Sequence, residues 1–136
     1  RAEEAKLQAS MHLWYANESG YDPRTLWATF NEGEGVGKKK SMGLVEGVSD
    51  LLMYRGGELS GIEVKILGEQ HEVARLKKQA EWIRDVCGGG GGFCHSLDMF
   101  KEFVATGCAL VPAWFVLREL KWVTTKTVKW GWWNVK

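Results

Sequence analysis

The chain has 136 residues, of which 45% are apolar, and its 18 Lys and Arg residues against 17 Asp and Glu residues give a formal net charge of +1. This length and apolar content suit one compact domain, and the near-neutral charge excludes a polycation that binds nucleic acid through net charge alone. No apolar run approaches the ~20 residues that span a bilayer, and no signal-peptide pattern is present. We therefore expect a cytoplasmic protein (in the host cytoplasm if the source is viral) with no membrane partner.

The first predicted element is an amphipathic helix over residues 3–17. Leu7 and Met11 lie one turn apart on its apolar face, and Glu4, one turn before Leu7, falls on that same face. An inward carboxylate is unusual, because burying a charge without a partner costs free energy. Gln8 follows Glu4 by one turn, so these two polar side chains are predicted to be neighbours.

A short strand over residues 25–30 is predicted next, followed by a Gly-rich, basic stretch from Asn31 to Gly43. This stretch resembles a phosphate-binding loop only superficially, because Glu32 and Lys39 stand where the pattern GxxxxGK[ST] requires Gly and Ser or Thr. We therefore exclude an NTPase and expect no nucleotide cofactor. A flexible surface loop and a loop that contacts nucleic acid both remain open.

Residues 47–66 are predicted to form a β-hairpin, because two β-prone runs flank a Gly-Gly pair that favours a two-residue turn. This turn places Asp50 directly opposite Glu63, and Lys65 lies two residues later on the same face of the sheet. One patch is thus predicted to hold two carboxylates and an ammonium group. A bulge or a longer turn would shift this register by a residue.

Three further elements complete the predicted core. Residues 71–86 carry apolar side chains at helical spacing, and five consecutive Gly residues end that helix. The sequence FCHS at 93–96 is predicted to be the last core strand. Ser96 fits the N-cap of a final helix that begins at Leu97.

The cysteines of the chain are Cys87, Cys94 and Cys108, an odd number without a CxxC pair. This pattern predicts reduced thiols rather than a disulfide framework. A zinc site at Cys94 and His95 is rejected, because adjacent strand residues point to opposite faces of a sheet.

Residues 107–136 differ from the rest of the chain in being rich in Trp, Val, Thr and Lys. Their β-like alternation predicts one or two added strands, which form a C-terminal extension packed on the core or at a dimer interface. In one interpretation the Trp residues bury area there. In the other they stack on unpaired bases, while Lys121, Lys126 and Lys129 hold phosphates.

The predicted patch on the hairpin suits a hard divalent cation, since Mg²⁺ takes oxygen ligands and typically one or two carboxylates. Asp50 and Glu63 supply carboxylates, and the backbone carbonyl of Val64 is a further candidate ligand. Lys65 is suited to orient or help deprotonate an attacking water, so the expected reaction is metal-assisted phosphodiester hydrolysis. The alternative is a solvated face with a weak ion pair, and the inward Glu4 favours the cation.

Five ordered motifs carry a family resemblance, namely EAKLQ, WATFNEG, GVSDLL, GIEVK and KKQAEWI. With them, residues 3–105 resemble the virus-type replication-repair nuclease (VRR-NUC) branch of the PD-(D/E)XK superfamily. Ser49 stands where the family usually has Pro. The resemblance implies an α/β fold of the restriction-endonuclease type over residues 1–106, with the order α-β-β-β-α-β-α and a mixed sheet, and it does not cover the extension at 107–136.

The resemblance also implies a Mg²⁺- or Mn²⁺-dependent DNA endonuclease of replication or repair, selective for junctions or flaps and acting as a homodimer. Glu4, Asp50 and Glu63 would hold the metal, Lys65 would act on the water, and Gln79 would position the water or the substrate. We assign DNA contacts to Gln8, Asn31, Lys38, Lys39, Lys40, Arg75 and Lys78. The alternative function is a non-catalytic DNA-binding or assembly module that retains the nuclease fold.

Overall fold

The computed structural model describes residues 2–29, 43 and 45–135, and over these residues the chain forms four α-helices and six β-strands. In chain order these are α1 (Ala2–Glu18), β1 (Leu26–Ala28), β2 (Leu51–Arg55), β3 (Glu58–Val64), β4 (Gln70–Glu72), α2 (Val73–Val86), β5 (Gly91–Cys94), α3 (Leu97–Thr106), α4 (Ala113–Leu120) and β6 (Thr127–Lys129). None of the described helices combines the length and the apolar character that crossing a membrane requires.

The central sheet has four strands in the order β1-β2-β3-β5. The first three are antiparallel neighbours, whereas β5 runs parallel to β3. The predicted α/β fold with a mixed sheet is therefore confirmed. Strands β4 and β6 form a separate antiparallel pair beside this sheet.

The hairpin of β2 and β3 has the predicted register. Leu51 pairs with Ile62, and the pairing continues without a bulge to the turn. Gly56 and Gly57 occupy that turn with φ angles of 58° and 80°, which is the positive-φ backbone that a tight two-residue hairpin turn needs. The residue before β2, Asp50, therefore lies at the position opposite Glu63.

Apolar side chains cover both faces of the sheet, and each cover comes from different helices. One buried cluster joins the strands to α1 and α3, and includes Met11, Tyr15, Ile62, Phe100 and Phe103. The other joins Phe93 of β5 to α2, α4 and the end of the chain, and includes Leu76, Ile83, Val116, Leu120 and Trp130. The sheet is thus buried between two layers.

The structure corrects the predicted helix at residues 71–86. The helix begins at Val73, because the two residues before it belong to β4, where His71 pairs with Val128 and Glu72 with Thr127. The last two residues of the Gly run after the helix, Gly91 and Gly92, belong to β5. A Cβ on Gly91 would lie 2.1 Å from the backbone oxygen of Gly61, so glycine here allows β5 to approach β3 closely.

The predicted β extension at residues 107–136 is wrong in its first half. Residues Ala113–Leu120 form α4, which packs on α2 because Val116 and Leu120 share a buried face with Ile83. The second half does contain a strand, but β6 pairs with β4 and not with the central sheet. The extension therefore completes the apolar layer on one face of the domain.

Candidate metal centre

The polar patch predicted on the hairpin exists, and it lies at one end of the central sheet. Glu63 is in β3, Asp50 immediately precedes β2, and Lys65 immediately follows β3. The Lys65 ammonium Nζ lies 3.8 Å from Oε1 of Glu63. The side-chain amide of Gln79, in the middle of α2, donates a hydrogen bond of 3.1 Å to that same oxygen. Three of the five predicted catalytic residues, Asp50, Lys65 and Gln79, thus lie near the carboxylate of a fourth, Glu63.

Apart from Asp50, which is half-buried, the predicted catalytic side chains are buried. Glu63 is 1% exposed, Lys65 and Gln79 are each 3% exposed, and Glu4 is 6% exposed. Lys and Glu are almost never buried to this extent unless they are paired, as Lys65 and Glu63 are here. The alternative of a solvated face with a weak ion pair is therefore wrong for this patch, and the prediction of an inward Glu4 is confirmed.

The orientation of Asp50 is set by the backbone of the neighbouring strand. The backbone N–H of Val64 donates a hydrogen bond of 2.8 Å to Oδ2 of Asp50. Because this bond joins β3 to the residue that precedes β2, it fixes the carboxylate beside the end of the hairpin. That Val64 also offers its carbonyl to a metal stays a prediction.

A close approach of Gly61 and Ser49 shapes the strand ends next to the patch. Ser49 is fully buried, and a Cβ on Gly61 would lie only 2.5 Å from its Oγ. Glycine at 61 therefore leaves the room that the Ser49 hydroxyl occupies. The Thr29 hydroxyl in turn donates a hydrogen bond to the backbone oxygen of Ser49, which ties the chain before β2 to the end of β1.

Electrostatics at Glu63 favour its neutral form when no cation is nearby. Burial raises the pKa of Glu63 well above its usual value, and the negative charges of Asp50 and, to a smaller extent, Glu4 raise it further. The positive charge of Lys65 acts in the opposite direction. Acid groups therefore outweigh the ammonium here, and a bound cation would stabilise the ionised carboxylates.

The donor atoms fit a hard divalent cation. Oε2 of Glu63 is buried and accepts no hydrogen bond among the described residues, and the same holds for Oε1 of Gln79. An orphaned buried carboxylate oxygen is costly unless it has a ligand. Carboxylate oxygens from Glu63, Asp50 and Glu4 are the kind that Mg²⁺ and Mn²⁺ take.

The side chains of Glu69 and His71 lie beside Glu4, and neither residue was predicted to belong to the site. One ligand atom each of Glu4, Glu69 and His71 lie within 4.8 Å of one another, and Nε2 of His71 is 3.6 Å from Oε2 of Glu4. The signal in the sequence is an acid and a histidine two residues apart, which share one face of an extended chain. The predicted helix included His71, and for that reason the pairing of Glu69 with His71 on one face was not recognised.

The residues assigned to DNA contact have varied positions. Gln8 is half-buried on α1 and Arg75 is half-buried on α2. Lys78 is exposed on α2, where its Nζ lies 3.3 Å from Oε2 of Glu46. Asn31, Lys38, Lys39 and Lys40 lie outside the described residues. Contact with DNA stays a prediction for all seven.

The Trp residues of the extension divide into two groups. Trp130, Trp132 and Trp133 pack edge to face against one another with ring centroids 4.7–5.8 Å apart, which is the geometry of a packed aromatic cluster. Trp114 and Trp122 are 59% and 80% exposed. Burial of area therefore accounts for the first group, and the interpretation as a stacking surface is limited to the second.

Comparison with known proteins gives no family assignment. No protein-family model matches the chain, and no match is found among curated proteins or solved structures. Function is therefore inferred from the side chains of the site.

Proposed function

We propose that this chain is a Mg²⁺- or Mn²⁺-dependent DNA endonuclease that hydrolyses phosphodiester bonds in branched or flapped DNA during replication or repair. The observation that carries the proposal is the buried group of Glu63, Lys65 and Gln79, with Asp50 oriented beside it. Buried charged groups with perturbed pKa values, such as Glu63, cluster at functional sites.

The order of elements supports a PD-(D/E)XK core. If β4 is left aside, α1, β1, β2, β3, α2, β5 and α3 follow the order α-β-β-β-α-β-α, and β5 runs parallel to β3. The acid and the lysine of the proposed signature, Glu63 and Lys65, lie at the end of β3, and Asp50 lies across the hairpin from Glu63. A homodimer that cuts both strands is part of the proposal by analogy with this family.

The side chains have separate tasks in this proposal. Asp50, Glu63 and Glu4 would hold the cation, which when bound supplies charge stabilisation at the phosphate and lowers the pKa of a coordinated water. Gln79 fixes Glu63 through its amide N–H, and its own oxygen is placed to accept a hydrogen bond from a water or a substrate. The Lys65 ammonium orients the attacking water and stabilises negative charge at a phosphate oxygen.

Cleavage assays on a four-way junction, a flap and a plain duplex, each with Mg²⁺ or Mn²⁺, test the proposal. Asp50→Asn and Lys65→Ala are expected to lower the cleavage rate by about 100-fold or more. The matched controls are Glu58→Gln and Lys77→Ala, exposed charges on β3 and α2, and these should cleave at nearly the wild-type rate.

Wild-type cleavage by both site variants would show that the proposed site is wrong. Tight DNA binding by the wild type, with neither cleavage nor a bound divalent ion at high Mn²⁺, would instead identify a non-catalytic DNA-binding or assembly module.

A further inference from the structure

A second group of metal-ligating side chains includes Glu4. Carboxylate oxygens of Glu4 and Glu69 and a ring nitrogen of His71 are mutually within 4.8 Å. The His71 and Glu4 side chains are 10% and 8% exposed. These three residues come from α1, from the connection before β4, and from β4 itself, so the group depends on the tertiary fold and not on local sequence.

Backbone hydrogen bonds hold Glu69 and His71 in place. His71 pairs with Val128 in the β4–β6 ladder, and the N–H of Trp130 donates a bond of 2.8 Å to the backbone oxygen of Glu69. One residue earlier, the N–H of Gly68 donates to the Trp130 oxygen at 2.9 Å. The C-terminal extension thus orders the segment that carries these two side chains, as a rigid metal site needs.

The carboxyl group of Glu63, on which the charge of Glu4 acts, indicates that acidic groups outweigh basic groups around Glu4. Its Oε2 is buried and accepts no hydrogen bond among the described residues, and the negative charge of Glu4 acts on this carboxyl group. Glu4 therefore lies close enough to Glu63 for their charges to interact, and its carboxylate also lies within 4.8 Å of ligand atoms of Glu69 and His71. Glu4 and Glu63 are buried, and Asp50 and Glu69 are half-buried. Burying carboxylates is costly unless cations lie among them.

The donor types of the second group select a different class of metal from the first. Mg²⁺ prefers oxygen ligands and dehydrates reluctantly, whereas imidazole suits first-row transition metals such as Fe²⁺, Ni²⁺ and Zn²⁺, and Mn²⁺ accepts both kinds of donor. We propose that Glu4, Glu69 and His71 bind one transition-metal ion, and that Glu4 is shared between this ion and the cation held by Asp50 and Glu63. The inference rests on the proposed function only through that shared Glu4.

Titration of the metal-stripped full chain with Mn²⁺, followed by calorimetry and electron paramagnetic resonance, measures the number of ions bound. Wild type is expected to bind two Mn²⁺ ions per chain. His71→Ala and Glu69→Gln should each retain one ion and weaken the other by about 10- to 100-fold. The matched control is His12→Ala, an exposed histidine on α1, which should bind two ions. Titration with Mg²⁺ should show one ion in every variant that keeps Asp50.

Asp50→Asn separates this inference from the proposed function. Loss of one ion in Asp50→Asn and of the other in His71→Ala supports both sites. A single wild-type ion that is lost in Asp50→Asn and kept in His71→Ala overturns the second site and leaves the first intact. Ions that are insensitive to Asp50→Asn but lost in His71→Ala support the second site and remove the metal basis of the nuclease proposal.

Circular dichroism of each variant shows whether the variant is folded, and so separates a loss of metal binding from a loss of structure. Because the Glu69 side chain is only partly buried, Glu69→Gln tests the site even if His71→Ala does not fold. Two ions retained by Glu69→Gln and by a folded His71→Ala would overturn the inference.

Discussion

The two faces of the central sheet differ in what β3 presents to the layer above it. Towards α1 and α3, the strand presents Ile62 and Val64, which join a continuous apolar cluster. Towards α2 it presents Glu63, followed by Lys65, and the apolar side chain on this face is Phe93 of the neighbouring strand. The face towards α1 and α3 is therefore covered by apolar contacts, whereas the face towards α2 combines a polar site with a smaller apolar area.

The difference explains why the second face needs the Trp-rich extension. Trp130 stacks on Phe93 with ring centroids 5.1 Å apart, and Trp133 packs against Trp130 at 4.8 Å. Large aromatic side chains bury much area per residue, so a few of them offset the apolar contacts that the strand residues Glu63 and Lys65 do not make. The extension thus stabilises the face on which the site lies.

The largest expected effect comes from removing the central aromatic side chain of that face. Trp130→Ala should lower the free energy of unfolding by about 3–5 kcal/mol, because it opens a cavity against Phe93 and removes the hydrogen bond from the Trp130 indole to His95. Urea denaturation measures the loss. Trp122→Ala, at an 80% exposed position, should change stability by less than about 0.5 kcal/mol. Equal effects would show that the extension does not support this face.

The polar site on the same face is expected to lower the free energy of unfolding. Asp50→Asn is expected to stabilise the metal-free protein by about 1 kcal/mol at neutral pH, because the Asp50 charge helps to keep Glu63 from ionising in the folded protein as it does in the unfolded chain. Asn also keeps an acceptor for the Val64 N–H. Thermal unfolding with and without Mn²⁺ measures this, and Mn²⁺ should stabilise wild type much more than the variant. Glu58→Gln, at an exposed position on β3, is the control and should change little. A destabilised Asp50→Asn would contradict a stability cost at the site.

The smallest effect concerns pH and the edge of the Trp cluster. Burial lowers the pKa of His95, and neutral His95 accepts a hydrogen bond of 3.1 Å from Trp130 at Nδ1. A lowered folded-state pKa means that this stability is fully present above pH 6.5, the usual value, and is lost as the pH falls through the folded-state pKa. Protonation should cost about 0.5 kcal/mol.

Urea denaturation between pH 8 and pH 5 should detect that cost, and His95→Gln should remove it. His12→Ala, at an exposed histidine of α1, should leave the pH profile as in wild type. An unchanged profile in His95→Gln would show that the Trp130 bond is not sensitive to protonation.

Local rules predicted the parts of the fold that local interactions determine. The Gly-Gly pair fixes the hairpin register and so the position of Asp50 opposite Glu63. Ser96 caps α3 by accepting a hydrogen bond from the Met99 N–H, as Ser at an N-cap does. Glu4 could be predicted as inward because helical spacing alone puts it on the buried face.

Distant contacts determine what the sequence did not predict. Residues 70–72 are too few to show a strand pattern, and β4 exists because β6 pairs with it. In α4, Ala113, Val116 and Leu120 do have helical spacing, but the surrounding Trp and Val favour strands, and packing on α2 overrides that propensity. The Glu69 and His71 group could not be recognised without the fold that brings Glu4 beside it.

The pairing of β4 with β6 also sets an order in time. The Gln70 amide donates a hydrogen bond to the Thr127 hydroxyl, 57 positions later in the chain, and contacts of such separation form late because a long loop must close first. During synthesis the hairpin with Asp50 and Glu63 leaves the ribosome long before β6. A nascent chain can therefore form the hairpin that brings Asp50 and Glu63 together early. The segment with Glu69 and His71 acquires its partner strand only when translation has passed residue 129.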